Sequence, residues 1–344
     1  MRTSRFVLAG VGNLGRGLLR ILPQKAPALS ARHDLQFTLV AAVDSSGGVV
    51  DSAGLDMDQV LKLKETGKGV AAYPKDGQKG LTTLDALAKA DADLLVELSP
   101  TSLTHGEPGL SAIAWALSHG MDVVTANKGP LVLAYPRLTA LAAENERKLF
   151  FSGTVAGGLP TVNIGQRDLI AARILRVDGI FNATTNYILT RMESGLSFEQ
   201  ALAEAQKAGA AEADPTLDVD GWDAANKLVI VANSALGMPA KLTDVSVQGI
   251  RGITREQLLA AKERGYAVKL LATAEPAGET YRLSVKPTEL PLDHPMARLT
   301  KWQMGVVYTT DINGTIIAII DEEGTMATVG AVLRDMVNLV ISRP

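Results

Sequence analysis

The chain of 344 residues contains no cysteine, which excludes disulfide bonds, thiolate metal sites and cysteine nucleophiles. Its four histidines are isolated, and their spacing matches no zinc motif. The formal net charge is only −3, so we expect no strong electrostatic attraction to nucleic acid or to an anionic membrane. The sequence shows neither an apolar run long enough to span a membrane nor a secretory signal, and we therefore expect a cytoplasmic protein.

A glycine-rich turn near the N-terminus is the first feature that bears on function. An apolar run, Phe6–Ala9, leads into Gly10-Val-Gly-Asn-Leu-Gly15, and a helix-like segment follows that we expect Pro23 to end. A second apolar run ends at Asp44. Dinucleotide-binding domains typically show this order: a strand, a GxGxxG turn, a helix, and an acidic residue at the end of the next strand. The residues predicted to bind the cofactor here are Gly10, Gly12, Asn13, Leu14 and Gly15 at the pyrophosphate and Asp44 at the ribose.

Strand-like and helix-like segments alternate as far as residue 150, which predicts a Rossmann-like parallel sheet. Ligands of such sheets bind at the carboxyl ends of the strands, where Ser99 and Lys128 fall. A lysine in this position is either solvated or catalytic, and its own sequence context leaves both interpretations open. Residues 45–80 show only a helical patch near Met57–Lys64, and we predict irregular structure without a function there.

Beyond residue 150 the pattern changes to a mixture of strands and helices. Ser197–Gln200 and Thr254–Gln257 are capping boxes that open helices, and Asn313-Gly314 predicts a hairpin turn. A last helix-like segment, Ala327–Val340, is expected to return to the first domain. We therefore predict an α/β protein in which residues 1–150 and 321–344 bind the dinucleotide, and residues 151–320 form an α+β domain with a mixed sheet that binds substrate and carries catalysis.

Five carboxylates and one lysine lie between Glu212 and Lys227, directly before an apolar segment that ends at Leu236. A helix that is apolar on every side is a buried helix. Asp223 and Lys227 stand at positions i and i+4 and share one of its faces. An exposed pair of this kind contributes little, whereas a buried lysine needs its partner to stay ionised. The residues alone leave both interpretations open.

These motifs together resemble homoserine dehydrogenase, and the resemblance spans nearly the whole chain. They are Gly10–Gly15, Thr125–Lys128, Gly153–Pro160, Gly179–Leu189 and Ala205–Leu228. The resemblance is to the short, monofunctional form without a C-terminal regulatory domain. It implies an NAD(P)-dependent oxidoreductase that interconverts L-homoserine and L-aspartate 4-semialdehyde, in threonine, methionine and isoleucine biosynthesis. It also implies a homodimer or higher homo-oligomer, with strands of the second domain paired across an axis.

The same resemblance assigns residues to the reaction. It makes Lys227 the proton donor to the aldehyde oxygen and Asp223 the carboxylate beside it, and it places Lys128 between nicotinamide and substrate. The implied substrate-binding positions are Glu212, for the substrate ammonium group, Asp218 and Thr184.

Two further ligands follow from the resemblance and from Asp44. Some relatives hold a sodium ion through backbone carbonyls that fall at Val155, Gly157 and Leu159, often with a glutamate where this chain has Ser152. The carboxylate of Asp44 favours NAD because it would repel a 2′-phosphate. NADP stays open, because Arg32 or Lys64 could approach that position.

Two other functions share part of this pattern. Another NAD(P)-dependent amino-acid dehydrogenase would have the same first domain but would need other roles for Lys128 and Lys227. A non-catalytic dinucleotide sensor would need no buried Asp–Lys pair.

Overall fold

The computed structural model describes residues 1–208, residue 211 and residues 214–342. The chain forms two compact units, Met1–Thr154 with Thr325–Pro344, and Val155–Gly324. The boundaries between the units follow residues 154 and 324, whereas the sequence pattern predicts boundaries after residues 150 and 320. None of the helices in the described part of the chain is both long and apolar enough to cross a membrane.

A seven-stranded sheet forms the centre of the first unit. Its strands are β1 (Arg2–Ala9), β2 (Leu35–Asp44), β3 (Gly47–Val50), β4 (Gln78–Lys79), β5 (Leu94–Glu97), β6 (Asp122–Thr125) and β7 (Leu149–Phe150). Their spatial order is β4-β3-β2-β1-β5-β6-β7. The neighbouring pairs β2–β1, β1–β5, β5–β6 and β6–β7 are parallel. At the other edge, β3 pairs with β2 and β4 pairs with β3, both antiparallel. The predicted Rossmann-like parallel sheet is confirmed.

Within residues 1–154, five helices accompany these strands: α1 (Asn13–His33), α2 (Met57–Glu65), α3 (Thr83–Lys89), α4 (Gly109–Ser118) and α5 (Lys128–Glu144). The prediction that Pro23 ends α1 is wrong, because α1 continues through Pro23 and Pro27. Pro27 leaves the carbonyl of Pro23 without a donor in the exposed part of the helix, where water can bond it, whereas Pro23 leaves that of Leu19 without one on the buried side. The longer helix also accounts for the wide spacing between Gly15 and Asp44.

The strands β3 and β4 were not expected between residues 45 and 80. Glycine is unfavourable in strands, and Gly47-Gly48 therefore gave no strand signal. The structure needs glycine there because a Cβ on Gly47, which has φ of +133°, would lie 2.1 Å from the carbonyl oxygen of Gln78. This close approach lets β3 and β4 pair.

A six-stranded mixed sheet forms the second unit, as predicted. Its strands are β8 (Ile174–Ile180), β9 (Val245–Val247), β10 (Tyr266–Ala277), β11 (Thr280–Pro291), β12 (Gln303–Thr310) and β13 (Thr315–Asp321). The order is β13-β12-β8-β10-β11-β9, antiparallel except for β9 beside β11. The hairpin predicted at Asn313-Gly314 joins β12 to β13, and the N–H of Thr310 donates to the carbonyl of Gly314 at 2.9 Å.

The helices of this unit are α6 (Thr161–Asn163), α7 (Ala183–Glu193), α8 (Phe198–Lys207), α9 (Thr216–Val219), α10 (Trp222–Ala235) and α11 (Arg255–Glu263). Both predicted capping boxes open helices, at Ser197 before α8 and at Thr254 before α11. The helix α10 is buried as expected, with 10 of its 14 residues buried.

The chain ends in α12 (Met326–Ile341), which belongs to the first unit and packs against α1. Its buried residues Val329, Val332 and Met336 share one apolar core with Leu8 of β1 and Leu18 of α1. This core holds the turn between β1 and α1 in place.

Candidate active site

The turn between β1 and α1 is tight on one side and open on the other. A Cβ on Gly10, which has φ of +94°, would lie 2.3 Å from the carbonyl oxygen of Leu98, and one on Gly15 would lie 2.2 Å from that of Gly10. A Cβ on Gly12 would meet no atom within 4 Å. Gly12 caps α1 without a side-chain hydrogen bond, so the first N–H groups of the helix face this open side. The turn, with Asn13 and Leu14 in the first turn of α1, therefore fits a pyrophosphate.

The carboxylate of Asp44, at the end of β2, is almost fully buried among hydrogen-bond donors. It accepts from the N–H and the hydroxyl of Ser46 at 2.9 and 2.6 Å, and from the N–H of Val70 at 3.2 Å. It also forms a salt bridge with Lys64 of α2. Burial opposes ionisation of Asp44, but these hydrogen bonds outweigh it and hold its pKa below the ordinary value of 3.8.

Sequence analysis gave Ser46 no role and left Lys64, with Arg32, as a cation that could approach Asp44. The structure shows that Lys64 reaches this carboxylate from α2, within residues 45–80, for which no function was predicted.

At the carboxyl edge of the same sheet, Ser99 follows β5 and Lys128 begins α5. The N–H of Ser99 donates to the carboxylate of Glu97 at 2.9 Å. The side chain of Asn127 caps α5, where it accepts a hydrogen bond from the N–H of Gly129 at 3.1 Å. Ser99 therefore lies in a loop and Lys128 at the start of a helix, and buried polar side chains fix the backbone at both positions.

In the second unit, Lys227 and Asp223 form a largely buried ion pair on α10, which decides between the two interpretations that the sequence left open. Lys227 Nζ lies 2.7 Å from Asp223 Oδ2, and the two side chains are 13% and 10% exposed. Nζ also donates to the backbone carbonyl of Phe181 at 2.6 Å. The ammonium group is thus fixed by a strand end and by its own helix.

Asn182 joins this pair to a second carboxylate. Its side-chain amide donates to Asp218 at 2.6 Å and to Asp223 at 2.8 Å, while its oxygen caps α7 by accepting from the N–H of Thr185 at 2.9 Å. Thr184 is buried in the first turn of α7. The structure therefore brings together Asp218, Asp223 and Lys227 around Asn182, which sequence reasoning had left without a role.

Other members of the acidic stretch are accounted for differently. Glu212 lies outside the described residues. Asp214 accepts from the N–H of Thr216 at 3.1 Å, and Asp220 pairs with Arg251. These last two carboxylates shape the turn and the surface.

The carboxylate of Glu322 lies beside the loop that was expected to hold sodium. It accepts from the N–H of Gly158 at 2.8 Å and lies against Gly157. Ser152 instead binds Asp335, to which its N–H and hydroxyl donate at 2.7 and 2.8 Å. Among the described residues, no group of three acidic or histidine side chains could hold a metal ion.

Comparison with known proteins identifies the family. The family model for "Homoserine dehydrogenase" matches residues 140–337, and that for "Homoserine dehydrogenase, NAD binding domain" matches residues 10–152. The homoserine dehydrogenase of Methanocaldococcus jannaschii is 37% identical over 335 residues, which cover 97% of each chain. This chain belongs to the homoserine dehydrogenase family. It is an NAD(P)-dependent oxidoreductase, and the predicted family and activity are confirmed.

Two further relatives differ in the cofactor that their names give. The NAD(+)-dependent homoserine dehydrogenase of Pseudomonas canavaninivorans is 32% identical over 98% of this chain and 97% of its own. A hyperthermophilic archaeal homoserine dehydrogenase solved in complex with NADPH has a TM-score of 0.86 at 26% identity, covering 100% of this chain and 99% of its own.

Proposed function

We propose that this homoserine dehydrogenase interconverts L-homoserine and L-aspartate 4-semialdehyde with Lys227 as the proton donor. The observation that supports this proposal is the ammonium group of Lys227, buried on α10 and fixed by Asp223 and by the carbonyl of Phe181. An ammonium group has three N–H bonds. Since two acceptors among the described residues contact Nζ, a third N–H can point to a substrate oxygen.

The reduction places negative charge on the aldehyde oxygen, which is the atom that Lys227 serves. The dinucleotide, when bound, supplies or accepts the hydride. A fixed ammonium group next to the oxygen stabilises the developing charge and then gives its proton to that oxygen. In the oxidation of the alcohol, the neutral amine takes the proton back. Asp223 holds Nζ in position for both directions.

Negative charge on Asp218 suits the ammonium group of the substrate. The bond from Asn182 fixes one oxygen of Asp218 2.6 Å from the amide, at the end of β8 that also carries Phe181. Glu212 and Thr184 keep their predicted roles as further substrate contacts. Lys128 keeps its predicted role at the nicotinamide end of the cofactor.

For the cofactor, we propose a preference for NAD that Lys64 moderates. The carboxylate of Asp44 would bind a ribose diol and repel a 2′-phosphate. Lys64, bound to that carboxylate, offsets part of the repulsion, so NADP is expected to be a slower substrate and not an excluded one.

The test of the substrate is the initial rate of absorbance change at 340 nm with NAD and either L-homoserine or L-aspartate. We expect reduction of NAD with L-homoserine alone. Asp218→Asn should raise KM for L-homoserine about tenfold through the loss of one charged contact, while Asp220→Asn, a surface control, should not. Reduction of NAD with L-aspartate and none with L-homoserine would move the assignment to another amino-acid dehydrogenase.

We also propose a homodimer, supported by the edge strand β13. Its side chains Ile317 and Ile319 are 44% and 50% exposed, and exposed apolar side chains on an edge strand favour pairing with another chain. Sedimentation should give twice the mass of one chain, and Ile317→Lys with Ile319→Lys should give a single chain. The control is Ile170→Lys, which is exposed in the same unit but away from any strand.

A sodium ion in this protein would have no carboxylate ligand from Ser152, and we propose a direct test for the ion. If carbonyls of Val155, Gly157 and Leu159 hold the ion, the nearby carboxylate is Glu322. Sodium chloride should then raise the melting temperature above that in choline chloride, and Glu322→Gln should remove the difference. Equal melting temperatures in the two salts would exclude the ion.

A further inference from the structure

Glu97, the last residue of β5, is fully buried and accepts hydrogen bonds from two loops. The N–H and hydroxyl of Ser99 donate to it from the loop after β5. The hydroxyl of Thr125, at 3.1 Å, and the side chain of Asn127 donate to it from the end of β6. One carboxylate therefore connects the loop that carries Ser99 to the loop that leads into Lys128.

Asn127 extends this connection into α5. While its amide N–H groups face Glu97 and the Ser99 hydroxyl, its oxygen accepts from the N–H of Gly129 in the first turn of the helix. Burial raises the pKa of Glu97, and the hydrogen bonds from Ser99, Thr125 and Asn127 oppose the rise. The donors converge on two oxygens, so an amide in place of the carboxylate would turn one acceptor into a donor facing other donors.

The first residue of α4 closes the network from the other side. A Cβ on Gly109 would lie 2.7 Å from Asn127 Nδ2 and 3.1 Å from the Glu97 carboxylate. Alanine is favoured over glycine inside helices, so glycine at this position is explained by the space that the network occupies.

We propose that Glu97 is a positioning residue for the cofactor: it fixes Ser99 and the first turn of α5, and through them the cofactor contacts of Ser99 and Lys128. This inference rests on the cofactor roles proposed for those two residues. It gives a function to a buried carboxylate to which sequence analysis assigned none.

The test is the affinity for NADH, measured by quenching of protein fluorescence. Glu97→Gln should weaken it about tenfold, as expected for the loss of hydrogen bonds to a charged group. KM for L-homoserine at saturating cofactor should stay within about twofold, because saturation with cofactor separates substrate binding from cofactor binding in the same variant. Glu107→Gln is the matched control, since that carboxylate accepts from the N–H and hydroxyl of Ser111, in the next turn of the chain, at 3.1 and 2.7 Å. Its affinity for NADH should not change.

Gly109→Ala tests the same network without altering a charge. It should weaken NADH binding, whereas Gly330→Ala, in α12 with no atom within 4 Å of the added Cβ, should not. This pair decides the question if Glu97→Gln does not fold. Normal NADH affinity in both Glu97→Gln and Gly109→Ala would overturn the inference, even if the melting temperature fell.

Two more variants separate this inference from the function on which it rests. Ser99→Ala and Lys128→Ala should each weaken NADH binding. If they do and Glu97→Gln does not, only the role of Glu97 is wrong. If neither changes the affinity, the proposed cofactor roles of Ser99 and Lys128 are wrong, and the inference falls with them.

Discussion

Replacing Lys227 by methionine should separate catalysis from folding. Methionine keeps the length of the side chain but cannot give a proton. Loss of a positioned general acid lowers rates by about 10²–10⁴. Since Lys227 also stabilises charge on the oxygen, we expect kcat of Lys227→Met to fall at least about a thousandfold.

The same substitution leaves Asp223 buried with the amide of Asn182, 2.8 Å away, as its partner. Removing one member of a buried ion pair costs about 3–5 kcal/mol, and at 10% exposure of Asp223 solvent screens little of this. The double variant Asp223→Asn with Lys227→Met removes both charges. It should recover most of the lost stability while kcat stays as low as in the single variant.

Initial rates at 340 nm with saturating L-homoserine and cofactor give kcat, and thermal unfolding followed by circular dichroism gives stability. Arg264→Met is the control, because its pair with Glu289 is about half exposed and contributes little. A folded Lys227→Met protein whose kcat lies within tenfold of the unmodified value would refute the role of Lys227. A double variant that recovers its rate together with its stability would show that the single variant failed through its fold.

Four further results are expected. Asp44→Asn should lower the ratio of kcat/KM for NAD to kcat/KM for NADP, and Lys64→Ala should raise this ratio because it removes a positive charge that attracts a 2′-phosphate. Both ratios are measured from initial rates at 340 nm. An unchanged ratio in both variants would mean that neither residue reaches the ribose. Burial opposes ionisation of Asp44, but its hydrogen bonds lower its pKa below the ordinary value. Its charge therefore stabilises the fold above about pH 4, and this stability is lost as the pH falls through the folded-state pKa. The difference in melting temperature between the unmodified protein and Asp44→Asn should shrink as the pH falls through that range. Asn182→Leu should raise KM for L-homoserine about tenfold through the loss of the amide bonds to two carboxylates, and steady-state kinetics with an unchanged KM would contradict its positioning role. Gly12→Ala should raise KM for the cofactor without changing the melting temperature, because the added methyl enters the space open to the pyrophosphate.

The sequence predicted the elements whose periodicity and capping are local. The buried helix α10, the hairpin at Asn313-Gly314 and the capping boxes at Ser197 and Thr254 each depend on residues within one turn or one helix. The Asp223–Lys227 pair was predictable for the same reason, because positions i and i+4 adjoin on any helix.

What the sequence could not predict depends on tertiary contacts. The continuation of α1 past Pro23 and Pro27 has no signal in the sequence, in which a proline is expected to end a helix. Lys64 reaches Asp44 only because α2 packs near the end of β2. The four donors on Glu97 come from residues up to 30 positions away, so the role of this carboxylate has no local signal.

The central claim is that Lys227 protonates the aldehyde oxygen when the carbon bound to it receives the hydride. The most direct test mixes the enzyme and its reduced cofactor with L-aspartate 4-semialdehyde under single-turnover conditions and follows absorbance at 340 nm. This measurement isolates binding and chemistry from product release. The account predicts a fast decay with L-homoserine as product in the unmodified protein, and a decay slower by about a thousandfold in Lys227→Met. Equal decay rates in the two proteins would contradict it.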